Sequence, residues 1–149
     1  MTSGRAGSID ALPARVRELV DQARRGVMTT VARDGSPHAV PVVFASVGDE
    51  IISPIDHKPK QGLTLVRVRN LQHDDRVTLL LDLWDEDWTQ LLWLMIRGRA
   101  AIDEEPDEDL RALLISRYPQ YKDEVMGGNA AIDALIRIRP TLLSWWSWS

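Results

Sequence analysis

Two lysines flank Pro59 in the stretch IDHKPKQG, which directly follows an apolar run. The chain as a whole has a formal net charge of -4 at pH 7, so a local group of cations stands out. If residues 51–55 form a strand, Lys58 and Lys60 emerge at its end, held apart by the rigid proline. Their ammonium groups can then converge on a phosphate or a carboxylate. The alternative interpretation is a solvated turn in which both lysines contact only water.

The cations continue beyond these two lysines. Residues 57–76 carry five Lys and Arg side chains but only two Asp, and these are Lys58, Lys60, Arg67, Arg69, Arg76, Asp74 and Asp75. A helix that begins near Gly62 would add backbone N–H donors for the same anion. The pattern therefore predicts an anion site at the end of the strand, with the solvated turn left as the alternative.

The familiar catalytic and metal-binding patterns are missing from the sequence. There is no cysteine, and the three histidines, His38, His57 and His73, show neither the i, i+4 nor the His-x-Glu spacing typical of zinc sites. No Gly-x-Ser-x-Gly elbow, Gly-x-Gly-x-x-Gly turn or P-loop lysine motif occurs. We therefore predict no metal site and no identifiable catalytic residue, which leaves any redox chemistry to a bound cofactor.

Tryptophan placement is the second chemical signal. Trp84, Trp88 and Trp93 surround an acidic turn, and three further tryptophans crowd residues 145–148. Burial in a barrel core is one interpretation. Since three rings within four residues cannot all point into one core, some of them are expected to cover a partner subunit or a planar ligand.

Length and composition are those of an ordinary globular chain. The 149 residues suffice for one domain, predicted to span 1–149, and 44% of them are hydrophobic while 27% are charged. No apolar run approaches the roughly 18–20 residues of a membrane helix. Residues 1–10 lack the apolar region of a secretory signal, so we expect a cytoplasmic protein without membrane contact. The acidic balance also argues against a nucleic-acid partner.

The N-terminal third is expected to supply a helix and three strands. Apolar residues at spacings of three and four predict a helix in the segment 1–25, ended by Gly26. From 27 to 53, frequent β-branched residues and turns containing Gly and Asp predict three antiparallel strands. Pro41 removes a ladder donor and so marks an edge or a bulge.

The remainder of the chain alternates helices and strands. A short helix is predicted to end near His73, and the stretches RVTLLLDLW and QLLWLMIRGRAAI then form a hairpin. A helix over 103–118 and a last strand, AIDALIRIRP, follow. Six strands with three helices indicate an antiparallel barrel flanked by helices.

The order of these features resembles the split-barrel flavin-binding superfamily of pyridoxamine-phosphate-oxidase-like proteins, and within it the actinobacterial group that uses the deazaflavin coenzyme F420. The resembling stretches run from Gly26 onward and are TTVARDGSPHAVPVVFA, SPIDHKPK, RNLQHDDRVTLLLD, DEDWTQLLWLMIRGRA, YPQY and SWWSWS. The resemblance implies a mainly β fold with flanking helices (α+β), a six-stranded antiparallel split β-barrel of the FMN-binding type. It also implies a homodimer with cofactor sites at the interface.

Cofactor-binding roles follow from the resemblance, position by position. In such proteins the second strand lines the cofactor ring, the third strand and its basic pair hold the phosphate, and an aromatic residue reaches in from the other subunit. The corresponding positions are Pro41, Val42 and Val43 for the ring, Ser53, Pro54, Lys58 and Lys60 for the phosphate, and Trp88 for the aromatic residue. Relatives often carry more arginine around Gln61, so the phosphate grip is either weaker here or supplied by Arg67 and Arg69.

These implications make an F420-dependent oxidoreductase the expected function, with hydride passing between the reduced deazaflavin and a small electrophilic substrate. An FMN-binding oxidoreductase of the same fold is the first alternative, because its single phosphate needs the same grip. The second alternative is a protein that binds such a cofactor, or haem or another tetrapyrrole, without turnover. The substrate motifs of strict pyridoxamine phosphate oxidases are missing, and the substrate is not indicated.

Overall fold

A computed structural model describes residues 1–56, 65–122 and 132–149 of the chain. Within these ranges lie eight strands, β1 Thr2–Ala6, β2 Gly26–Val31, β3 Pro37–Val42, β4 Ala45–Val47, β5 Glu50–Asp56, β6 Arg76–Leu83, β7 Leu92–Asp103 and β8 Ile132–Ser147. The same ranges contain the helices α1 Ala14–Gln22, α2 Val66–His73 and α3 Glu108–Arg117, with short 3₁₀ turns at Ile9–Ala11, Trp88–Gln90 and Pro119–Lys122.

All strand pairs are antiparallel, and the hydrogen-bonded order is β3-β2-β6-β7-β8-β5-β4. Because β8 is 16 residues long, one edge of it serves two neighbours: residues 132–138 pair with β5 and residues 143–147 pair with β1. The ends of the order, β3 and β4, are joined by only Val43 and Phe44, so the sheet must curl back on itself. No backbone ladder joins β3 to β4 in the described residues. The predicted fold class, a mainly β split barrel with flanking helices, is confirmed.

Alternating side chains divide the core into two parts. The inward face of the barrel is filled by large buried residues such as Met28, Phe44 and Leu79, and α1 closes one side of it with its own apolar face. A second core lies outside the sheet, where α3 covers Ile52 of β5. Since β5 is covered on both faces, four consecutive residues of it, 51–54, are buried.

Tyr118 connects α3 to the corner between β3 and β4. Its hydroxyl lies 2.9 Å from the carbonyl oxygen of Phe44 and 3.0 Å from that of Arg24, and it accepts a hydrogen bond of 3.2 Å from the Phe44 N–H. The neighbouring Arg117 donates to carbonyls at the end of α1, including that of Ala23 at 2.5 Å. A cation at the carboxyl end of a helix complements the helix dipole, so these contacts fix α1 and α3 against each other.

Several element boundaries differ from the sequence expectations. Eight strands are present in the described ranges rather than six, since residues 2–6 pair with β8 and residues 45–47 form a short extra strand. The helix expected in 1–25 is therefore only α1, and Gly26 begins β2 instead of ending a helix. Long-range pairing, which local spacing does not record, accounts for each change.

Two other expectations concern the place of Pro41 in the sheet and membrane-spanning helices. Pro41 lies on β3, an end strand of the hydrogen-bonded order, as its missing donor predicts. None of the described helices has the length and apolar character needed to cross a bilayer. The single domain over 1–149 stays a prediction.

Candidate functional site

The residues predicted to hold a phosphate lie along β5 and just beyond it. Ser53 is buried, and its Oγ donates a 2.8 Å hydrogen bond to the carbonyl of Val43. This bond joins Ser53, which was predicted to hold a phosphate, to Val43, which was predicted to line a cofactor ring. Pro54 is also buried, opposite Leu135 of β8. The predicted Lys58 and Lys60, like His57, lie outside the described residues.

The residues predicted to line a cofactor ring divide between the two faces of β3. Pro41 is exposed on the outward face, while Val42 is 7% exposed and packs in the inner core. Val43 is half-buried against the second core under α3. Any contact of Val42 with a ligand would therefore fall to its backbone.

Trp88, the predicted aromatic contact, lies at the tip of the β6–β7 hairpin. Its side chain is 59% exposed and meets Trp84 edge-on, with 6.4 Å between the ring centroids. Among the described residues, no hydrogen bond or ring contact joins Trp88 to the predicted residues of β3 or β5. One copy of the chain therefore presents this ring to its surroundings rather than to its own strands.

A charged cluster lies near the end of β5 and the start of α2. It consists of Asp56, Arg67 and Tyr121, and we call it the Arg67 cluster. Asp56 ends β5, Arg67 is in the first turn of α2, and Tyr121 is in the 3₁₀ turn after α3. The hydroxyl of Tyr121 donates a 2.7 Å hydrogen bond to Oδ1 of Asp56. The Nε of Arg67 is buried and has no hydrogen-bond partner among the described residues.

Burial dominates the electrostatics of the Arg67 cluster. It lowers the pKa of Arg67, an effect that the nearby Asp56 carboxylate partly opposes. Burial also raises the pKa of Tyr121 far above its usual range, helped by the hydrogen bond to Asp56. The tyrosine is therefore a neutral donor at pH 7, whereas arginine remains protonated at any physiological pH. The cluster thus presents a guanidinium whose Nε donor is not used by any of the described residues.

A second buried atom without a hydrogen-bond partner among the described residues belongs to β3. It is Nδ1 of His38, and His38 is the Cα partner of Thr30 across the β2–β3 ladder. The hydroxyl of Thr30 accepts a 3.0 Å hydrogen bond from Asn70 of α2. Asn70 lies three residues after Arg67, which places both on one side of the helix. Arg67 therefore lies on the same face of α2 as Asn70, and His38 is connected to that face through Thr30.

This arrangement fits an anionic or polar ligand. Buried polar atoms nearly always have partners in native proteins, and an unpaired one costs about 1–3 kcal/mol. A planar guanidinium suits a phosphate because its donors match the phosphate oxygens in pairs. The Arg67 cluster can therefore hold a phosphate beside the end of β5, where the sequence predicts an anion site.

The sequence found this site only in part. Arg67 was predicted as a substitute phosphate ligand, but Arg69, predicted with it, is exposed on α2. Asp56 and Tyr121 were not predicted as site residues. Both occur in stretches that carry the family resemblance, SPIDHKPK and YPQY, and this was the available signal.

The fold defines a split-barrel protein of the general class that binds flavin-type cofactors. A model of the pyridoxamine 5'-phosphate oxidase family matches residues 12–143, so the chain belongs to that family. A search of curated proteins found no match.

Solved structures share this fold. A conserved hypothetical protein from Mycobacterium tuberculosis is 24% identical with a TM-score of 0.71, over 92% of this chain and 85% of that one. An F420 reductase is 23% identical with a TM-score of 0.65, over 89% and 98%. HutZ, the heme storage protein from Vibrio cholerae, is 16% identical with a TM-score of 0.67, over 88% and 92%. At these identities the likeness shows the fold alone.

Proposed function

We propose that this chain is an F420-dependent oxidoreductase, which transfers hydride between the reduced deazaflavin and a small electrophilic substrate. The observation that carries the proposal is the half-buried guanidinium of Arg67, whose Nε lacks a partner among the described residues beside the end of β5. A cofactor phosphate would supply that partner. The similarity in fold to an F420 reductase supports the choice of cofactor.

The described residues have separate tasks in this proposal. Arg67 donates to the phosphate, and Asp56 with Tyr121 fixes the surroundings of its guanidinium. The bond from Ser53 to the Val43 carbonyl holds β5 against the end of β3, where the ring is expected. When bound, the deazaflavin supplies the hydride chemistry, and the chain supplies orientation and exclusion of water.

The charge of the sequence after β5 favours F420 over FMN. Lys58 and Lys60 lie outside the described residues, and their two positive charges suit the glutamyl tail of the deazaflavin, which makes that cofactor more anionic than FMN. We also propose a homodimer in which Trp88 of one copy approaches the cofactor of the other. This arrangement is consistent with the exposure of the Trp88 ring in the single chain.

Parallel titrations of the purified protein with F420 and FMN test the proposed function. We expect micromolar or tighter binding of F420, weaker binding of FMN, and reoxidation of reduced F420 by small electrophilic acceptors, followed by absorbance. Binding of FMN alone would select the first alternative. Binding of haem with neither cofactor would select the non-catalytic alternative, which the shared fold with a heme storage protein makes worth measuring.

Asp56→Asn is expected to shift cofactor preference toward FMN. The phosphate of FMN is a monoester that approaches two negative charges at pH 7, whereas the phosphate of F420 is a diester with one. The Asp56 carboxylate beside Arg67 therefore disfavours FMN more strongly. Removing one nearby charge should tighten FMN binding by about 1 kcal/mol, or about fivefold, and F420 binding by less.

Tyr121 can still donate to the amide oxygen of the Asp56→Asn variant, so the fold should be maintained. Asp49→Asn, in the exposed turn before β5, is the matched control and should change neither affinity. Equal changes for both cofactors would show that Asp56 does not discriminate between them.

A further inference from the structure

Five arginines share one outward region of the sheet, where β6, β7 and β8 lie side by side. Arg76 of β6, Arg99 of β7 and Arg139 of β8 are successive Cα partners across these strands. Arg97 and Arg137 precede Arg99 and Arg139 by two residues, so they project from the same face. This concentration of cations stands out in a chain whose formal net charge is -4.

The acidic side chains of this region are already used by three of the arginines. The ion pairs, with distances of 2.6 to 3.2 Å, are Asp74 with Arg76, Asp75 with Arg99, and both Glu50 and Asp103 with Arg137. The guanidinium groups of Arg97 and Arg139 have no hydrogen-bond or ion-pair partner within the described part of the chain. Both side chains are exposed and lie on either side of Arg99.

Arg97, Arg99 and Arg139 form a triangle, which we call the arginine triangle. The Cα atoms of Arg97 and Arg99 are about 7 Å apart along β7, and those of the directly opposed Arg99 and Arg139 are roughly 5 Å apart. Like charges opposite one another across a sheet repel. Asp75 is the one carboxylate of the described residues that pairs with the triangle, which therefore carries two more positive than negative charges.

The backbone holds the arginine triangle at this spacing. Gly98 lies between two of its members, and a Cβ there would overlap the carbonyl oxygen of Arg139, so glycine permits the close approach of β7 and β8. The register between these strands shifts at the same place and skips Thr141 of β8. The Thr141 hydroxyl donates a 3.3 Å hydrogen bond to the carbonyl of Arg97. An irregularity of this kind redirects the neighbouring side chains.

Two adjoining cavities flank the arginine triangle, and Arg99 lines both of them. One has a volume of about 470 Å³ and is lined by Arg139 and the small side chain of Ala101, among others. The other has a volume of about 370 Å³ and is lined by Arg97 and three threonines, Thr29, Thr78 and Thr141. The hydroxyls of Thr29 and Thr78 make no hydrogen bond with any described residue. Volumes of this size are typical of small-molecule sites.

We propose that the arginine triangle binds the phosphate of a phosphorylated small molecule, whose polar remainder lies against the three threonines. Arginine forks donate pairs of hydrogen bonds to phosphate oxygens. A phosphate monoester approaches two negative charges at pH 7, which matches the excess charge of the triangle. Threonine hydroxyls can both donate to and accept from the hydroxyls of the remainder. No residue of the Arg67 cluster lines either cavity, so this site is separate from the proposed cofactor site.

A titration resolved by residue tests the site without removing the Arg67 cluster. The probe is ribose 5-phosphate, added to the wild-type protein and followed by ¹⁵N–¹H correlation spectra. We expect saturable shifts of the amides of residues 97–99 and 139–141, with a dissociation constant of about 1 mM or below. Inorganic phosphate should shift the same amides with lower affinity, and ribose should shift none of them.

Variants assign the binding to the arginine triangle. Arg97→Gln and Arg139→Gln should each raise the dissociation constant of ribose 5-phosphate about tenfold or more, because each removes a charged donor. Arg33→Gln, in the exposed turn between β2 and β3, is the matched control and should leave the constant unchanged. Circular dichroism of each variant separates loss of folding from loss of binding.

The inference is overturned if these amides show no saturable shifts or if both arginine variants bind as wild type does. An equal loss of affinity in Arg33→Gln would also overturn it, because net charge alone would then explain the binding. Equal affinity for phosphate and ribose 5-phosphate would remove the role of the threonines. Loss of the binding in protein saturated with F420 would assign the triangle to the cofactor site. Protein that binds ribose 5-phosphate but neither cofactor would retain this site and overturn only the proposed function.

Discussion

Replacing Arg67 with methionine is expected to weaken binding of the cofactor by about 10- to 100-fold, because a hydrogen bond to a charged group contributes about 1.5–3 kcal/mol. The guanidinium of Arg67 is the group that a cofactor phosphate would satisfy at the end of β5. Methionine keeps an apolar stem of similar length but cannot donate to an anion.

The same change is expected to leave the apoprotein at least as stable as wild type. Arg67 carries a buried Nε without a partner among the described residues, and burial lowers the pKa of its guanidinium. Both observations mean that the apoprotein holds this charge at a cost. An apolar side chain of similar length removes that cost, so the free energy of unfolding should stay constant or rise by about 1 kcal/mol.

Arg69→Met is the matched control, since Arg69 is exposed on the same helix. Isothermal titration with F420 and urea unfolding of both variants would make the comparison. Weaker binding with unchanged stability in Arg67→Met, and no change in Arg69→Met, supports the site. If Arg67→Met instead unfolds at lower urea and binds normally, Arg67 stabilises the fold and does not bind the cofactor.

Gly98→Ala is expected to destabilise the barrel by about 3 kcal/mol and to lower Tm by about 10 °C. Gly98 lies in β7 at an irregularity in the register with β8. A Cβ there would overlap the carbonyl oxygen of Arg139 and come within 3.1 Å of the Ile138 side chain. The Arg139 carbonyl belongs to the backbone and cannot rotate away as a side chain can. The strands β7 and β8 would therefore have to separate.

Gly7→Ala provides the control, because a Cβ at Gly7 meets nothing within 4 Å. Thermal unfolding followed by circular dichroism compares the two variants. A Gly98→Ala protein with wild-type Tm would show that the close approach of β7 and β8 relaxes easily.

The sequence predicts a helix or strand of this protein well when the apolar residues that mark it all lie within that element. Two mostly apolar stretches placed β6 and β7, and the end of α2 at His73 matches the expectation. The stretches quoted for the family resemblance were sufficient to predict the family, which the match over residues 12–143 confirms. The strand β1 was missed because its stability comes from pairing with the far end of the chain.

By itself, the sequence determined the split-barrel class, the family and the concentration of cations after β5. Only the tertiary structure brought the residues of the candidate site together, because Asp56 and Tyr121 meet across 65 positions of sequence. It also decided that Nε of Arg67 is buried without a partner among the described residues, since that burial depends on what packs around α2 rather than on its neighbours in the chain. The physical reason is that spacing encodes local periodicity, whereas burial, register and partnership arise between segments that the chain brings together only on folding.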